Sequence, residues 1–449
     1  MPLISSRTAL VFLIGGLMSI LIMGVFLGQS LLISLFFLVG LLVVITFLHN
    51  VKWGLFLILL IRSSIDKFSE QVTINLGNNI HFNAAAIFGI LVVFLLIIFL
   101  FNNRQEIINL PLKKPWFLIL FVATASIFIS IEKMSSIYEI IKLLSILLMF
   151  ATAYIIVKKE KKVSTVLYAI IFSSLVPFLF ATYQLITRTG LGGSEGVESR
   201  LFGTFSHSNS FASFVVIVFS LSLYLIFQEK HYWTKWLLGI FIAWEILILE
   251  QTYARGAWLA FLIFLFIITL KKSPKTLLAI ALASVALFFF SETIHDRIED
   301  VYNPPADSSV RWRFAQWDKM YGAFLKTPLT GYGFGTETVV HEREFGFNAG
   351  NQYTHNDFLR LALETGIFGF LVYCIFVFAT LIRLTIFYIK TKNPISKDFS
   401  LFALALFVAI LSYSLTNNTL HETVTQWTLW TIIGASIALS QNSLKDFSS

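Results

Sequence analysis

The sequence predicts an all-α polytopic membrane protein with about 12–14 transmembrane helices, and three observations carry this prediction. The chain has 449 residues, of which 57% are hydrophobic and 13% are charged, whereas about a quarter of the residues in a typical soluble protein are charged. Apolar runs near the ~20 residues that cross a bilayer recur from end to end. One long polar segment, residues 291–365, interrupts them.

The apolar runs predict about fourteen crossings within a single membrane domain that covers residues 1–449. The first run follows a basic start, as a signal peptide would. No small-residue cleavage site is obvious, so we expect the run to be retained as a span. The third is short and is compatible with a re-entrant segment. The predicted spans are 9–27, 30–49, 53–62, 84–102, 115–130, 138–157, 164–186, 210–227, 236–252, 257–270, 276–290, 366–387, 399–417 and 424–441.

Lysines cluster in alternate loops, which the positive-inside rule assigns to the cytoplasm. Both termini then lie inside, and segment 291–365 forms a large extracytoplasmic loop. We expect a multi-pass protein of the cytoplasmic (inner) membrane that contacts membrane lipids and no nucleic acid. On this topology nine of the twelve arginines lie outside: Arg62, Arg188, Arg200, Arg255, Arg297, Arg311, Arg313, Arg343 and Arg360.

The positive-inside rule gives no reason for arginines on the outer side. A planar guanidinium is suited to bidentate recognition of phosphate or carboxylate. For any single loop arginine, we favour ion pairing with nearby acids or snorkelling to lipid headgroups. For the whole set, we favour an anionic ligand.

The loop before the span at 210–227 contains Arg200, His207 and Asn209. Ser208, Asn209 or Ser210 can cap the helix that follows. An outward helix N-terminus offers free N–H groups and partial positive charge to a phosphate. A simple cap beside a flexible loop is the alternative for Asn209, and we favour a functional role for Arg200.

The spans at 236–252 and 257–270 are joined by almost no loop, so Arg255 lies at the outer membrane surface. An arginine so close to hydrocarbon needs a partner. Glu250 is one candidate partner, and a ligand phosphate is the other. Glu245 lies deeper and must be paired, protonated or facing a polar cavity.

The polar segment predicts short amphipathic helices. Arg311, Trp312 and Arg313 give one of them an aromatic and basic surface, which is typical of helices at the membrane interface. The glycine-rich run 330–336 follows no predicted strand, so we interpret it as a turn and not as a dinucleotide site.

His355 lies just before a helix that Asn356 or Asp357 can cap. A neutral imidazole in this position is able to take a proton from an attacking hydroxyl. A histidine that only caps or packs is the alternative.

Three stretches resemble the bacterial O-antigen ligase and O-antigen polymerase superfamily of integral membrane glycosyltransferases. They are 199–212 (SRLFGTFSHSNSFA), 252–259 (TYARGAWL), and the large-loop pattern 328–335 (PLTGYGFG) followed by 355–359 (HNDFL) and 364–369 (ETGIFG). This chain has Ser208 where the family often has Pro, and Ala254 where it has Ser.

The resemblance implies transfer of a glycan from an undecaprenyl-pyrophosphate carrier to a sugar hydroxyl outside the cytoplasmic membrane, for polysaccharide or lipopolysaccharide synthesis. The acceptor is a lipid A core for a ligase or another lipid-linked glycan for a polymerase. By match of motif, Arg200 and Arg255 bind the pyrophosphate and His355 is the general base. Secondary candidates for the site are Arg311, Arg313, Asn209, His207 and Glu250.

A pyrophosphate leaving group activates the donor, and fixed guanidiniums stabilise the charge that develops on it. We therefore expect no cofactor and favour a metal-independent reaction.

Two other functions remain open, a transporter or flippase of lipid-linked glycans and a protein O-oligosaccharyltransferase. Crowding of the arginines on one face favours an enzyme, because a transporter places ionisable groups near the bilayer midplane.

Overall fold

The computed structural model describes residues 31–71, 73–75, 81–191, 199–272, 309–346 and 353–446, with five further single positions. The predicted spans at 9–27 and 276–290 lie outside the described residues, as does Arg297. The polar segment is described in two parts, 309–346 and 353–365.

The described part of the chain is almost entirely helical. Its one small sheet pairs β1 (Thr73–Asn75) with β2 (His81–Asn83) in antiparallel register. The helices are α1 (Leu31–His49), α2 (Val51–Ile65), α3 (Ala84–Phe101), α4 (Arg104–Ile108), α5 (Lys113–Ala125), α6 (Lys133–Glu160), α7 (Ser164–Ser173), α8 (Leu175–Thr187), α9 (Ser208–Gln228), α10 (Tyr232–Gln251), α11 (Arg255–Lys272), α12 (Ser309–Lys326), α13 (Glu337–Phe345), α14 (Asp357–Lys390), α15 (Pro394–Tyr413) and α16 (Thr423–Asp446).

Seven stretches of helix in the described residues are long and apolar enough to cross a membrane, with Ile33–His49 as a shorter apolar helix. They are α3, α6, α7 with α8, α9, α10, α14 and α15. The other predicted spans within the described ranges coincide with α2, α5, α11 and α16, which are shorter or less apolar. The all-α polytopic membrane fold is therefore confirmed.

The packed core of the bundle lies between α5, α6, α14 and α16. Trp116 packs edge to face on Phe376 and Trp430, with ring centroids 4.6 and 4.8 Å apart, and Phe150 meets Trp430 at 5.9 Å. Such edge-to-face contacts between aromatic rings stabilise the fold beyond what the buried area alone contributes. This core lies next to the polar ends of α6 and α14, where the buried charges described below are found.

The long helix α14 is broken at Gly366, which has φ 64° and ψ −172°. A Cβ at this position would lie 2.2 Å from the carbonyl oxygen of Leu329, so only glycine fits. The turn at 330–336 docks on this break, since Gly333 N–H donates to Glu364 O (2.8 Å) and Ile367 N–H donates to Pro328 O (2.8 Å). The run is thus a turn as predicted, and it fixes the polar segment to the start of a span.

Candidate functional site

A cavity of about 740 Å³ lies where the N-terminus of α9, helix α12 and the connection between α15 and α16 meet. Five of the eight site residues predicted from the sequence line it: Arg200, His207, Asn209, Arg313 and His355. The predicted residues Arg255, Arg311 and Glu250 are not among its lining residues. Arg200 and His355 therefore line one cavity, while the predicted roles of Arg200, Arg255 and His355 stay predictions.

Arg200 is held at the cavity wall by neutral groups of two helices. Its Nε donates to the carbonyl oxygen of Thr252, at the end of α10, over 3.0 Å. Its Nη2 donates to Oδ1 of Asn209, in the first turn of α9, also over 3.0 Å. The Asn209 side chain thus orients Arg200, and the residue at the N-cap position of α9 is His207, which makes no side-chain cap bond.

The first residue of α9, Ser208, also lines the cavity. Its side chain is 2% exposed, and its hydroxyl has no hydrogen-bond partner among the described residues. The first N–H groups of a helix have no intrahelical acceptor, and the N-terminus carries partial positive charge. The wall beside Arg200 is therefore suited to an anion.

His355 lines the same cavity and has a left-handed backbone, with φ 52°. Its Nδ1 lies 3.2 Å from Oδ1 of Asn417. Burial, with the positive charge of Arg313, lowers the pKa of His355 to about 4, although the bond to Asn417 and the charge of Glu337 act in the other direction. The imidazole is therefore neutral at pH 7, as a general base must be.

The residues on either side of His355 are fixed by one carboxylate, that of Glu337 on α13. Thr354 donates to its Oε1 from the backbone N–H (2.6 Å) and from the hydroxyl (2.5 Å). Asn418 donates to both carboxylate oxygens and accepts from Asn356 N–H over 2.8 Å. Burial raises the pKa of Glu337, but the bond from His421 and the charge of Arg360 outweigh it and lower the pKa to about 2.

Beneath the cavity lies a buried ion-pair network centred on Arg360, which is 0% exposed. Its guanidinium lies 2.9 Å from Glu139, 3.2 Å from Glu364 and 3.7 Å from Glu337. A ligand phosphate cannot replace these partners without leaving buried carboxylates unpaired. Arg360 is therefore an ion-paired arginine, as expected for any single arginine of the outer loops.

His421 bridges two carboxylates of this network. Its Nδ1 lies 3.1 Å from Glu139 and its Nε2 lies 3.1 Å from Glu337. Burial and the charge of Arg360 lower the pKa of His421, but the two carboxylates outweigh them and raise it. Lys142 is a further ion-pair partner of Glu139 in this network.

The remaining predicted residues lie away from the cavity wall. Arg311 is exposed on α12, and the carboxylate of Glu250 accepts from Gln251 Nε2 over 2.6 Å. Arg255 is half-buried at the first position of α11. No group of three or more His, Cys, Asp or Glu side chains placed to hold a metal ion occurs in the part of the chain that the structure describes.

Residues 240–374 match the family model described as O-Antigen ligase. This match confirms the predicted resemblance to the O-antigen ligase and polymerase superfamily, and it supports a membrane glycosyltransferase of that type. The O-antigen ligase match includes Arg255 and His355, whereas Arg200, His207 and Asn209 precede it. None of the curated proteins compared with the chain matches it.

The sequence predictions missed residues 416–422 (TNNTLHE), which lie in the connection between α15 and α16. Asn417, Asn418, His421 and Glu422 all line the cavity. A signal was present, because the mostly polar residues 418–423 separate the predicted spans 399–417 and 424–441 and fall on the outer side of the predicted topology. The contact with His355 joins residues 62 positions apart, which no local pattern reveals.

Proposed function

We propose that the protein transfers a glycan from an undecaprenyl-pyrophosphate carrier to a sugar hydroxyl, as an O-antigen ligase or polymerase does. The observation that carries this proposal is one cavity that Arg200, the N-terminus of α9 and His355 all line. The acceptor is a lipid A core sugar for a ligase or a lipid-linked glycan for a polymerase. The same site chemistry would serve a protein hydroxyl.

The side of the cavity formed by Arg200 and Ser208 is where the donor pyrophosphate binds in this proposal. A guanidinium, a hydroxyl and helix N–H groups are all donors suited to phosphate oxygens. Arg313 adds a second guanidinium from α12. Negative charge grows on the pyrophosphate as the anomeric C–O bond breaks, so these donors stabilise the transition state more than the ground state.

In this proposal, His355 activates the acceptor hydroxyl. His355 accepts the hydroxyl proton while the acceptor oxygen forms a bond to the anomeric carbon, and the carrier pyrophosphate leaves with the electrons of the broken C–O bond. Such a base contributes roughly 10²–10⁴-fold to a rate. Metal independence belongs to this proposal, because the guanidiniums supply the positive charge that a metal ion would.

The proposal places the cavity at the outer face of the cytoplasmic membrane, with both termini in the cytoplasm. The lysine-rich loops support this orientation through the positive-inside rule. Donor glycans that have already crossed the membrane would then reach the cavity from the bilayer.

Transfer by the purified protein in detergent tests the proposal. We expect a polyprenyl-pyrophosphate-linked glycan and a sugar acceptor to give a new glycoside without any membrane gradient, and EDTA to leave the rate unchanged. His231→Ala, at an exposed histidine remote from the cavity, serves as the matched control for His355→Ala. Movement of the donor across a membrane with no transfer in detergent would favour a transporter and contradict the proposal.

A further inference from the structure

A hydrogen-bonded chain connects His355 to a buried carboxyl group through one amide. Oδ1 of Asn417 lies 3.2 Å from Nδ1 of His355. Nδ2 of the same amide donates to Oε1 of Glu422 over 2.6 Å. The amide therefore stands between the imidazole and the carboxyl group, with one polar atom towards each.

The surroundings of Glu422 decide which way the amide points. The carboxyl oxygens also accept from Ser210 (3.0 Å), Ser213 (2.8 Å) and Thr425 (3.0 Å). Burial raises the pKa of Glu422, while these hydrogen bonds act against it. A carboxyl group keeps an acceptor oxygen in either protonation state, so the NH₂ of Asn417 turns towards it and the carbonyl oxygen turns towards His355.

An amide oxygen only accepts hydrogen bonds, so the atom that faces it must carry a proton. In a neutral imidazole, protonation of Nδ1 leaves the lone pair on Nε2. We propose that Asn417 is a positioning residue that holds the proton of His355 on Nδ1, so that Nε2 accepts the proton of the attacking hydroxyl, and that Glu422 fixes the amide. This proposal rests on the proposed function, in which His355 is the base.

An amide at this position differs from a carboxylate in one respect that matters for catalysis. Burial is the main reason that the pKa of His355 is about 4, and the hydrogen bond to Asn417 raises this pKa without placing a negative charge beside the ring. The charged groups that bear on His355 from the neighbouring elements are Arg313 on α12 and Glu337 on α13, with His207 as the titratable neighbour before α9. A carboxylate at 417 would add a close negative partner.

The test compares Asn417→Asp and Asn417→Ala, with Asn109→Asp in an exposed connection as the matched control. An opposite charge at this distance raises the pKa of a histidine by about one unit or more. We therefore expect the acidic limb of the pH–rate profile to move up by about one pH unit or more in Asn417→Asp. We expect Asn417→Ala to lower turnover roughly 10–100-fold, as loss of an orienting partner does, with donor affinity unchanged.

A second measurement needs no change at position 417. In protein labelled with ¹⁵N-histidine, the signals of His355 are identified by their absence in His355→Ala. Near pH 7 we expect them to show a protonated Nδ1 and an unprotonated Nε2. A proton on Nε2, or a pH–rate profile of Asn417→Asp that coincides with the wild type, would overturn the inference.

These outcomes separate the two proposals. If His355→Ala transfers glycan as fast as the wild type, the proposed role of His355 as base fails. If His355→Ala is impaired but both Asn417 variants keep the wild-type profile and rate, only the role of Asn417 fails. If Asn417→Ala does not fold, the spectrum of the wild-type protein and the profile of Asn417→Asp still decide the question.

Discussion

Arg200 and Arg360 are both arginines of the predicted outer side, and they have opposite surroundings. Arg200 lies at the cavity wall and donates to a carbonyl oxygen and an amide oxygen, both neutral. Arg360 is 0% exposed and lies within 3.7 Å of three carboxylates. Arg200 therefore lines a cavity that a ligand can enter, whereas buried carboxylates surround Arg360.

The difference shows why residue type and sidedness do not identify a binding arginine. A guanidinium that carboxylates already neutralise gains little from a phosphate, because its partners would be left as buried, unpaired charges. A guanidinium that lines a cavity beside a helix N-terminus is placed to meet a ligand phosphate. The proposed function therefore uses Arg200 for phosphate binding, and Arg360 keeps the buried carboxylates paired.

Replacing Arg360 should have the largest effect, on folding. Arg360→Leu leaves Glu139, Glu337 and Glu364 buried without their shared cation, and breaking a buried ion pair typically costs about 3–5 kcal/mol. We expect a much lower thermal unfolding midpoint in detergent, or no folded protein, while the exposed control Arg104→Leu behaves as wild type. A stable Arg360→Leu protein that fails to bind donor would move Arg360 into the donor site.

Lysine substitutions should separate Arg200 from Arg255. Lysine keeps the charge but loses the planar fork, and a hydrogen bond to a charged group contributes about 1.5–3 kcal/mol. We expect Arg200→Lys to bind the lipid-linked donor roughly 10–100-fold more weakly and Arg255→Lys to be less affected, because only Arg200 lines the cavity. Arg383→Lys is the control. A larger loss in Arg255→Lys would place the pyrophosphate outside this cavity.

Ser208 should have the smallest of these effects. Ser208→Ala removes one neutral donor, which is worth about 0.5–1.5 kcal/mol, so donor affinity should fall roughly 2–10-fold. The matched control is Ser164→Ala, because Ser164 is likewise the first residue of a helix but lies away from the cavity. Equal donor affinity in Ser208→Ala and wild type would remove the hydroxyl from the site.

The sequence predicted the helical membrane fold well, because each span is a continuous apolar run that carries its own signal. It also predicted that Arg200 and His355 share a site, since the motifs that contain them resemble one family. It could not predict which carboxylates pair with Arg360, because Glu139 and Glu337 are 221 and 23 residues away in the chain. Such a pairing depends on how α6, α13 and α14 pack.

No pattern in the sequence indicated the role of Asn417 either. It lies in the connection between α15 and α16, whose polarity is typical of any loop between spans. Only the packing of this connection against residues 353–356 brings the amide to His355 and makes it part of the candidate site.

The most direct test of the central claim measures donor affinity and single-turnover transfer rate on the same preparations of wild type, His355→Ala and Arg200→Lys. If Arg200 binds the donor and His355 takes the hydroxyl proton, His355→Ala keeps donor affinity while its transfer rate falls roughly 10²–10⁴-fold. Arg200→Lys then loses donor affinity. Loss of donor binding in a folded His355→Ala protein, or full transfer by it, would contradict the account.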